Sequence, residues 1–412
     1  MTAIHNLLSF ADIMKSVGGV VLAVTILLVM ITVHEFGHYL AGKRLGFKIN
    51  EFAIGFGPAI FKKRSKKTGE LFSLRIIPLG GYCAFDGEDE FADEQEQNAG
   101  KINEPIFEEL QKDGGMSATN VKTTDQTDEE YPEPKGERFN DQAPWKRIIV
   151  LIAGATMNYL LALLLLIGMF AFIGRPLYQV VVEKPEETQG ASIVQTVNES
   201  EFGLKTGDII LQINGKDTYL VTDYIDALNG ENKGAEIPVL VLRDGEKVSC
   251  VITLAQDAHF ANTADTQTLL RAMNVYGLRM ATHKQGFFET LGGAFVYSFK
   301  IGGMVLRSLG ELLTGKIGLE SMGGPITTIK VTSEAASSSV FSFLNIAALI
   351  GVNLAVFNLL PVPALDGCKV IFCIIEWIRK KPVNRKVEAI IHTAGILFLF
   401  AFAILVDILQ FL

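Results

Sequence analysis

Two histidines and a glutamate stand at a spacing that can run hydrolytic metal chemistry. They are His34, Glu35 and His38, within VHEFGHYLAG at 33–42. On a helix His34 and His38 lie four residues apart, one turn above each other on the same face. Two imidazoles so placed can share one tetrahedral Zn²⁺, with Glu35 beside them to take a proton from the attacking water. The setting sharpens this reading. Residues 17–33 carry no charge and run straight into the motif. Ionisable groups at membrane depth cost on the order of 3 kcal/mol each and are kept for function. The bland alternative is a juxtamembrane polar cluster that helps to end a helix.

A catalytic zinc takes three protein ligands and keeps one position open. His5 falls in the N-terminal tail, and His259 and His283 fall in an outer loop. His392 and Cys368 fit better as buried, unligated side chains. Asp366 is the best third ligand. It lies in NLLPVPALDG at 358–367, at the end of an apolar run that two prolines break. A broken backbone at membrane depth is tolerated where it lines a cavity or is buried in protein.

The elements that must bring these residues together are apolar helices. The chain has 412 residues, of which 20 % are charged, and a positive mean hydropathy. That composition indicates a membrane protein with soluble insertions. Four spans are expected, with these domain limits: residues 1–42 holding the HExxH motif, 145–174, 340–367 holding NxxPxPxxDG, and 388–410. The first run lacks a small-residue cleavage site, so an uncleaved span is expected. Residues 43–67 hold eight basic side chains against one acid, and 379–386 hold five more. By the positive-inside rule both loops are cytosolic, which puts both termini outside and the active site near the cytosolic side. His34 and His38 then lie roughly 21–27 Å along the helix from Val20. Residues 286–314 are hydrophobic but carry Glu289, Lys300, Arg307 and Glu311. A span there would carry Asp366 to the wrong side, so an interfacial amphipathic helix is expected instead.

Between the spans, residues 43–85 alternate in the manner of a small membrane-associated sheet, with turns at GFGP and KKTG. Its functional version is an edge strand beside the metal that pairs with an extended substrate; its ordinary version is a solvated hairpin. Residues 86–141 carry 18 acidic against five basic side chains and read as a flexible cytosolic insertion with one short helix near 105–112. Asn158, the one strongly polar side chain of the second span, reads mainly as a helix–helix hydrogen-bonding group. Residues 180–257 read as a β-rich extracytoplasmic domain with hairpin turns at Asn214-Gly215 and Asp244-Gly245. Gly207-Asp208 followed by IILQING resembles the PDZ signature, whose domains bind chain ends by strand addition. The four cysteines form no CxxC pair, and no structural disulfide is expected. Nothing in the charge distribution implies a nucleic-acid partner.

Taken together, HEFGH in the first span, NLLPVPALDG in the third and a PDZ-like domain between them resemble the site-2 proteases, in particular the bacterial RseP-like branch (regulator of sigma-E protease). GFGP at 55–58, IPLGGY at 77–82, the stretch ending GATMN at 158 and GGPI at 323–326 also resemble family landmarks, so the likeness covers nearly the whole chain outside 86–138. The resemblance implies an intramembrane zinc metalloprotease in the bacterial cell membrane. It implies zinc ligands at His34, His38 and Asp366, a general base at Glu35, and a substrate or oxyanion contact from Asn358. It implies single-pass membrane substrates such as anti-sigma factors or remnant signal peptides, with the PDZ-like domain excluding large ectodomains. GATMN departs from the commoner GPxMN and LDGC from LDGG, but neither touches a proposed ligand. A different class remains open at this point: a non-proteolytic membrane scaffold or metal-handling protein that binds chain ends. Glu35 speaks against it, because zinc binding alone needs no such group. A third reading, a membrane-anchored protease taking its last ligand from a soluble helix, lacks a helix that could supply it.

Overall fold

The computed structural model describes residues 10–88, 131–180, 204–260, 269, 272–273, 278–319 and 322–411. His5, the helix expected near 105–112 and most of the acidic insertion expected at 86–141 lie outside them. In chain order the elements are helix α1 (Phe10–Leu45), strands β1 (Ile49–Arg64) and β2 (Leu71–Phe85), α2 (Pro144–Phe172), β3 (Arg175–Val180), β4 (Ile209–Ile213) and β5 (Lys216–Asp217). Then come α3 (Val221–Leu228), β6 (Glu236–Arg243), β7 (Glu246–Thr253), β8 (Leu278–His283), α4 (Phe287–Leu313), α5 (Pro325–Ser338), α6 (Val340–Asn358), α7 (Asp366–Arg379) and α8 (Arg385–Phe411). Among the described residues, four helices are long and apolar enough to cross a membrane: Val17–Leu45 within α1, then α2, α6 and Arg385–Gln410 within α8. The third is shorter than expected. It stops at Asn358, because Pro361 and Pro363 cannot donate to a helical ladder and Ala364 takes a left-handed φ of 80°. A separate helix, α7, then starts at Asp366.

The chain divides into two compact units. One unit (Val20–Tyr159 and Phe357–Leu405) holds the β1–β2 hairpin. Its strands pair antiparallel from Ile49↔Phe85 to Arg64↔Leu71, with several register shifts. Phe47, Ile49, Phe52, Phe85, Phe139, Val150 and Cys373 form its aromatic-rich core. Arg147 is almost fully buried and pairs with Glu376. At residue 137 the chain is back at the hairpin, where the Lys48 amide donates to the Glu137 carbonyl at 2.9 Å. The hairpin's outer end exposes Phe56, Ile60, Phe61, Ile76 and Ile77.

The other unit (Met1–Gly19, Leu160–Val356 and Val406–Leu412) is built on a sheet of order β7-β6-β4-β3-β8, with β5 beside β4. This sheet is wider than the 180–257 expected from alternation. It begins at Arg175, and β8 joins β3 from Arg175↔His283 to Val180↔Leu278. Ile210, Ile213, Val239, Val241, Ile252 and Leu228 fill its core. Helix α4 occupies the segment expected to be amphipathic. It buries Gly293, Ala294, Tyr297 and Ile301 and leaves Phe287, Phe288, Phe295 and Phe299 exposed. Its Lys300 and Arg307 pair with Asp223 and Asp226 of α3. Helix α5, which alternation did not signal, starts on the GGPI stretch. There the Asp407 carboxylate accepts the Ile326 and Thr327 amides at 3.0 and 3.1 Å. All four cysteines are buried and none is in a disulfide.

Candidate metal centre

The first two donor side chains owe their room to glycine. A Cβ on Gly37, inside HEFGH, would strike the Ala153 backbone of α2, 2.8 Å from its carbonyl carbon and nearer still to its oxygen. Gly37 therefore lets two helix backbones meet closely, as small residues do in membrane helices. A Cβ on Gly154 would lie 2.8 Å from His34 Cε1 and closer still to the His38 ring. The two glycines leave the space in which the imidazoles turn towards each other, with their Nε2 atoms 3.1 Å apart.

The third donor arrives on the broken segment after α6. The turn is closed by Leu360 and Leu365 amides donating to the Phe357 and Val362 carbonyls. Gly367 packs so tightly against the backbone of Leu359 and Leu360 that no Cβ would fit. The Ala364 amide donates to His392 Nδ1 at 3.2 Å. Thus His392 braces the turn and Cys368 is a buried free thiol; His259 and His283 belong to the β-rich unit. The outcome is that Asp366 Oδ2 lies 3.1 Å from His34 Nε2 and 3.4 Å from His38 Nε2.

This geometry fits a zinc ion. Bonds of about 2.0–2.1 Å in a tetrahedron put neighbouring ligand atoms about 3.3 Å apart, and the three contacts above bracket that value. His38 Nδ1 donates to the Val150 carbonyl at 2.8 Å, which fixes the tautomer and leaves the Nε2 lone pair facing the other donors. Asp366 Oδ2 is buried and receives no well-directed hydrogen bond. Lone pairs and a carboxylate converging in this way call for a cation. Among the described residues, His34, His38 and Asp366 form the one cluster of His, Cys, Asp or Glu side chains able to hold a metal.

Two expected participants stand next to it. Glu35 is followed closely by β2: a Cβ on Gly81 would lie 3.3 Å from Glu35 Cγ and 2.9 Å from the Ala53 carbonyl oxygen. The Asn358 amide nitrogen lies 3.4 Å from His34 Nδ1. So does that of Asn158, a side chain the sequence reading assigned to helix packing. Its i,i+4 relation to Gly154 was the available signal. The hairpin beside Glu35 is stiffened by a charged cluster. Arg75 donates to the Gly57 carbonyl and to Glu51, both at 2.9 Å, and Ser73 also donates to Glu51. Burial and the Glu51 hydrogen bond push the Tyr82 phenol up to about 12, so it stays a donor to Glu51 at 2.9 Å.

Comparison with known sequences places nearly the whole chain in a family. The family model described as Peptidase family M50 matches residues 22–402. The chain belongs to peptidase family M50. The M50 chain is similar to the zinc metalloprotease RasP of Bacillus licheniformis, 27% identical over 406 residues, covering 89% of this chain and 92% of the relative. It is similar to the regulator of sigma-W protease RasP of Bacillus subtilis, 28% identical over 406 residues with the same coverage. It also resembles the zinc metalloprotease RasP of Oceanobacillus iheyensis, 27% identical over 422 residues, covering 92% and 95%. Membership makes this protein a zinc metalloprotease of the membrane, and the scaffold alternative falls away with it.

Proposed function

We propose that His34, His38 and Asp366 hold the zinc, and that the protein cuts peptide bonds within or at the edge of membrane-spanning segments of single-pass proteins. The observation that carries this reading is the convergence of the three donor atoms at 3.1–3.4 Å beside a glutamate flanked by a strand. When bound, zinc supplies Lewis acidity, which eases deprotonation of water and polarises a carbonyl. Glu35 takes the proton from the attacking water and passes it to the leaving amine. The Asn358 side chain, at the end of α6, donates to the scissile carbonyl as charge develops on it. A helical substrate must unwind to offer that carbonyl. The β1–β2 hairpin supplies backbone partners that keep it extended.

The basic runs at 43–67 and 379–386 support an active site towards the cytosolic side, with both termini outside. They support the same side for the acidic insertion at 86–141. The hydrophobic yet charged α4 fits a helix lying in the membrane interface. The GD-x-IL-x-ING pattern supports a PDZ-like role for the β-rich unit, one that admits only substrates with short ectodomains. The bacterial relatives, one of them named for regulation of a sigma factor, support anti-sigma factors or remnant signal peptides as substrates. The test is zinc content and cleavage of a model single-pass substrate by the full-length protein in detergent. Glu35→Gln should keep zinc and lose cleavage by about a hundredfold or more, whereas His34→Ala and His38→Ala should lose both. Zinc retained in both histidine variants would refute the ligand assignment.

A further inference from the structure

A zinc-bound imidazole has two nitrogens to account for. Where Nε2 gives its lone pair to the metal, Nδ1 carries the proton and needs an acceptor. His38 has one in the Val150 carbonyl. His34 Nδ1 instead faces two side-chain amides, from Asn158 and Asn358, each with its nitrogen at 3.4 Å. Two NH₂ groups cannot satisfy an N–H. One of them must present its oxygen, and the oxygen and nitrogen of an amide exchange places by half a turn about a single bond.

The surroundings distinguish the two. Asn158 is 1% exposed, in a helix otherwise apolar over Ile148–Phe172 apart from Thr156 and Tyr159. A buried amide left without hydrogen bonds costs about 1–3 kcal/mol, so a partner is what justifies its presence. Its Oδ1 is buried without one, and His34 Nδ1 is the polar atom that the structure sets beside its other end. Asn358 is half-buried, at the end of α6 where the helix breaks. Helix α2 thus presents two residues to the imidazoles, one turn apart: Gly154, which leaves them room, and Asn158, which reaches Nδ1.

We propose that Asn158 is the positioning residue for His34: its side-chain carbonyl accepts the His34 Nδ1–H and so aims Nε2 at the metal, which releases the Asn358 amide for the substrate. The inference rests on His34 being a ligand. It divides labour between two asparagines that stand at the same distance from one ring nitrogen. Asn158 then governs metal affinity, and Asn358 governs turnover.

The experiment measures zinc affinity of the full-length protein in detergent by competition with a chromogenic chelator, together with the visible spectrum of the Co²⁺-substituted form. Asn158→Leu removes the acceptor at similar size and should raise the zinc Kd about 10- to 100-fold, with an altered Co²⁺ spectrum. Asn158→Asp keeps an acceptor but cannot donate, and should hold the Kd within about threefold of wild type, as carboxylate–histidine–zinc arrangements do. Asn358→Leu should leave the Kd and the spectrum unchanged while lowering kcat. Thermal melting of the zinc-free forms shows whether each variant folds. Because Asn158→Asp tests the acceptor directly, failure of Asn158→Leu to fold does not remove the test. A wild-type Kd and Co²⁺ spectrum in folded Asn158→Leu would overturn the proposal. So would a Kd raised about tenfold in folded Asn158→Asp, or a loss of affinity that follows Asn358 instead. His34→Ala is the control for the underlying reading: if it keeps zinc, His34 is no ligand and both statements fall together.

Discussion

Asp208 is a fully buried carboxylate and Asp366 a partly buried one with a buried Oδ2, and their surroundings could hardly differ more. Asp208, in the β-rich unit, is 1% exposed. It accepts Arg243 Nε at 2.8 Å and Nη2 at 2.7 Å, and the Lys205 amide at 2.8 Å. Burial works against its ionised form, but the Arg243 and Lys205 hydrogen bonds outweigh that and hold the carboxyl below the usual range. Asp407 likewise accepts two backbone amides and the Thr327 hydroxyl. Asp366 faces two imidazole nitrogens and has a buried oxygen with no hydrogen-bond donor. A carboxylate whose lone pairs are filled by the chain belongs to the architecture. One whose lone pair the chain leaves unfilled is reserved for something the chain does not supply.

The contrast can be broken by crowding the site. Gly154→Val would push a branched side chain into both imidazoles and should weaken zinc binding about a hundredfold or more by equilibrium dialysis. Wild-type affinity in this variant would mean that the rings do not occupy the places described. A smaller effect should separate the ion from the strand beside it. Gly81→Val would force β2 away from Glu35. Cleavage should drop about tenfold or more while zinc content stays at wild-type level, since misplacement near 1 Å costs about that much or more. Equal loss of zinc would tie the strand to the metal instead of to the substrate.

The sharpest features of this site were legible because they are polar groups in apolar company. HEFGH and LDG stand out for that reason, and the proline pair announced a break in the helix before Asp366. Charge runs at 43–67 and 379–386 kept the helix at 287–313 out of the set of spans. What stayed hidden depends on partners far away in sequence. Residues 278–283 form a strand because β3 lies beside them, and β3 is about a hundred residues earlier in the chain. Helix α7 lies between a proline signal and a basic loop, so no boundary marked its start other than Asp366 itself. Asn158 could be placed on a helix but not against His34, because periodicity gives a face and never a neighbour.

The smallest of these effects lies in the filled carboxylate. Asp208→Ala removes the carboxylate from Arg243, which is partly exposed and still reaches Cys250 Sγ, and should lower the protection of β4 and β6 amides in hydrogen exchange by only about 1 kcal/mol. The sign with pH follows from the depressed folded-state value. The stabilisation is present above the unfolded value of about 4 and is lost as pH falls through the lower folded value. The gap between wild type and Asp208→Ala should therefore narrow as pH drops below about 4. A gap that widened there would show that Asp208 is not held ionised by Arg243.

The most direct measurement is the zinc content of Asp366→Ala and Asp208→Ala, purified side by side from the same membranes. Wild type and Asp208→Ala should each carry one zinc per chain, and Asp366→Ala near none, after dialysis against a weak chelator. Stoichiometric zinc in Asp366→Ala, held as tightly as in wild type, would contradict the ligand assignment.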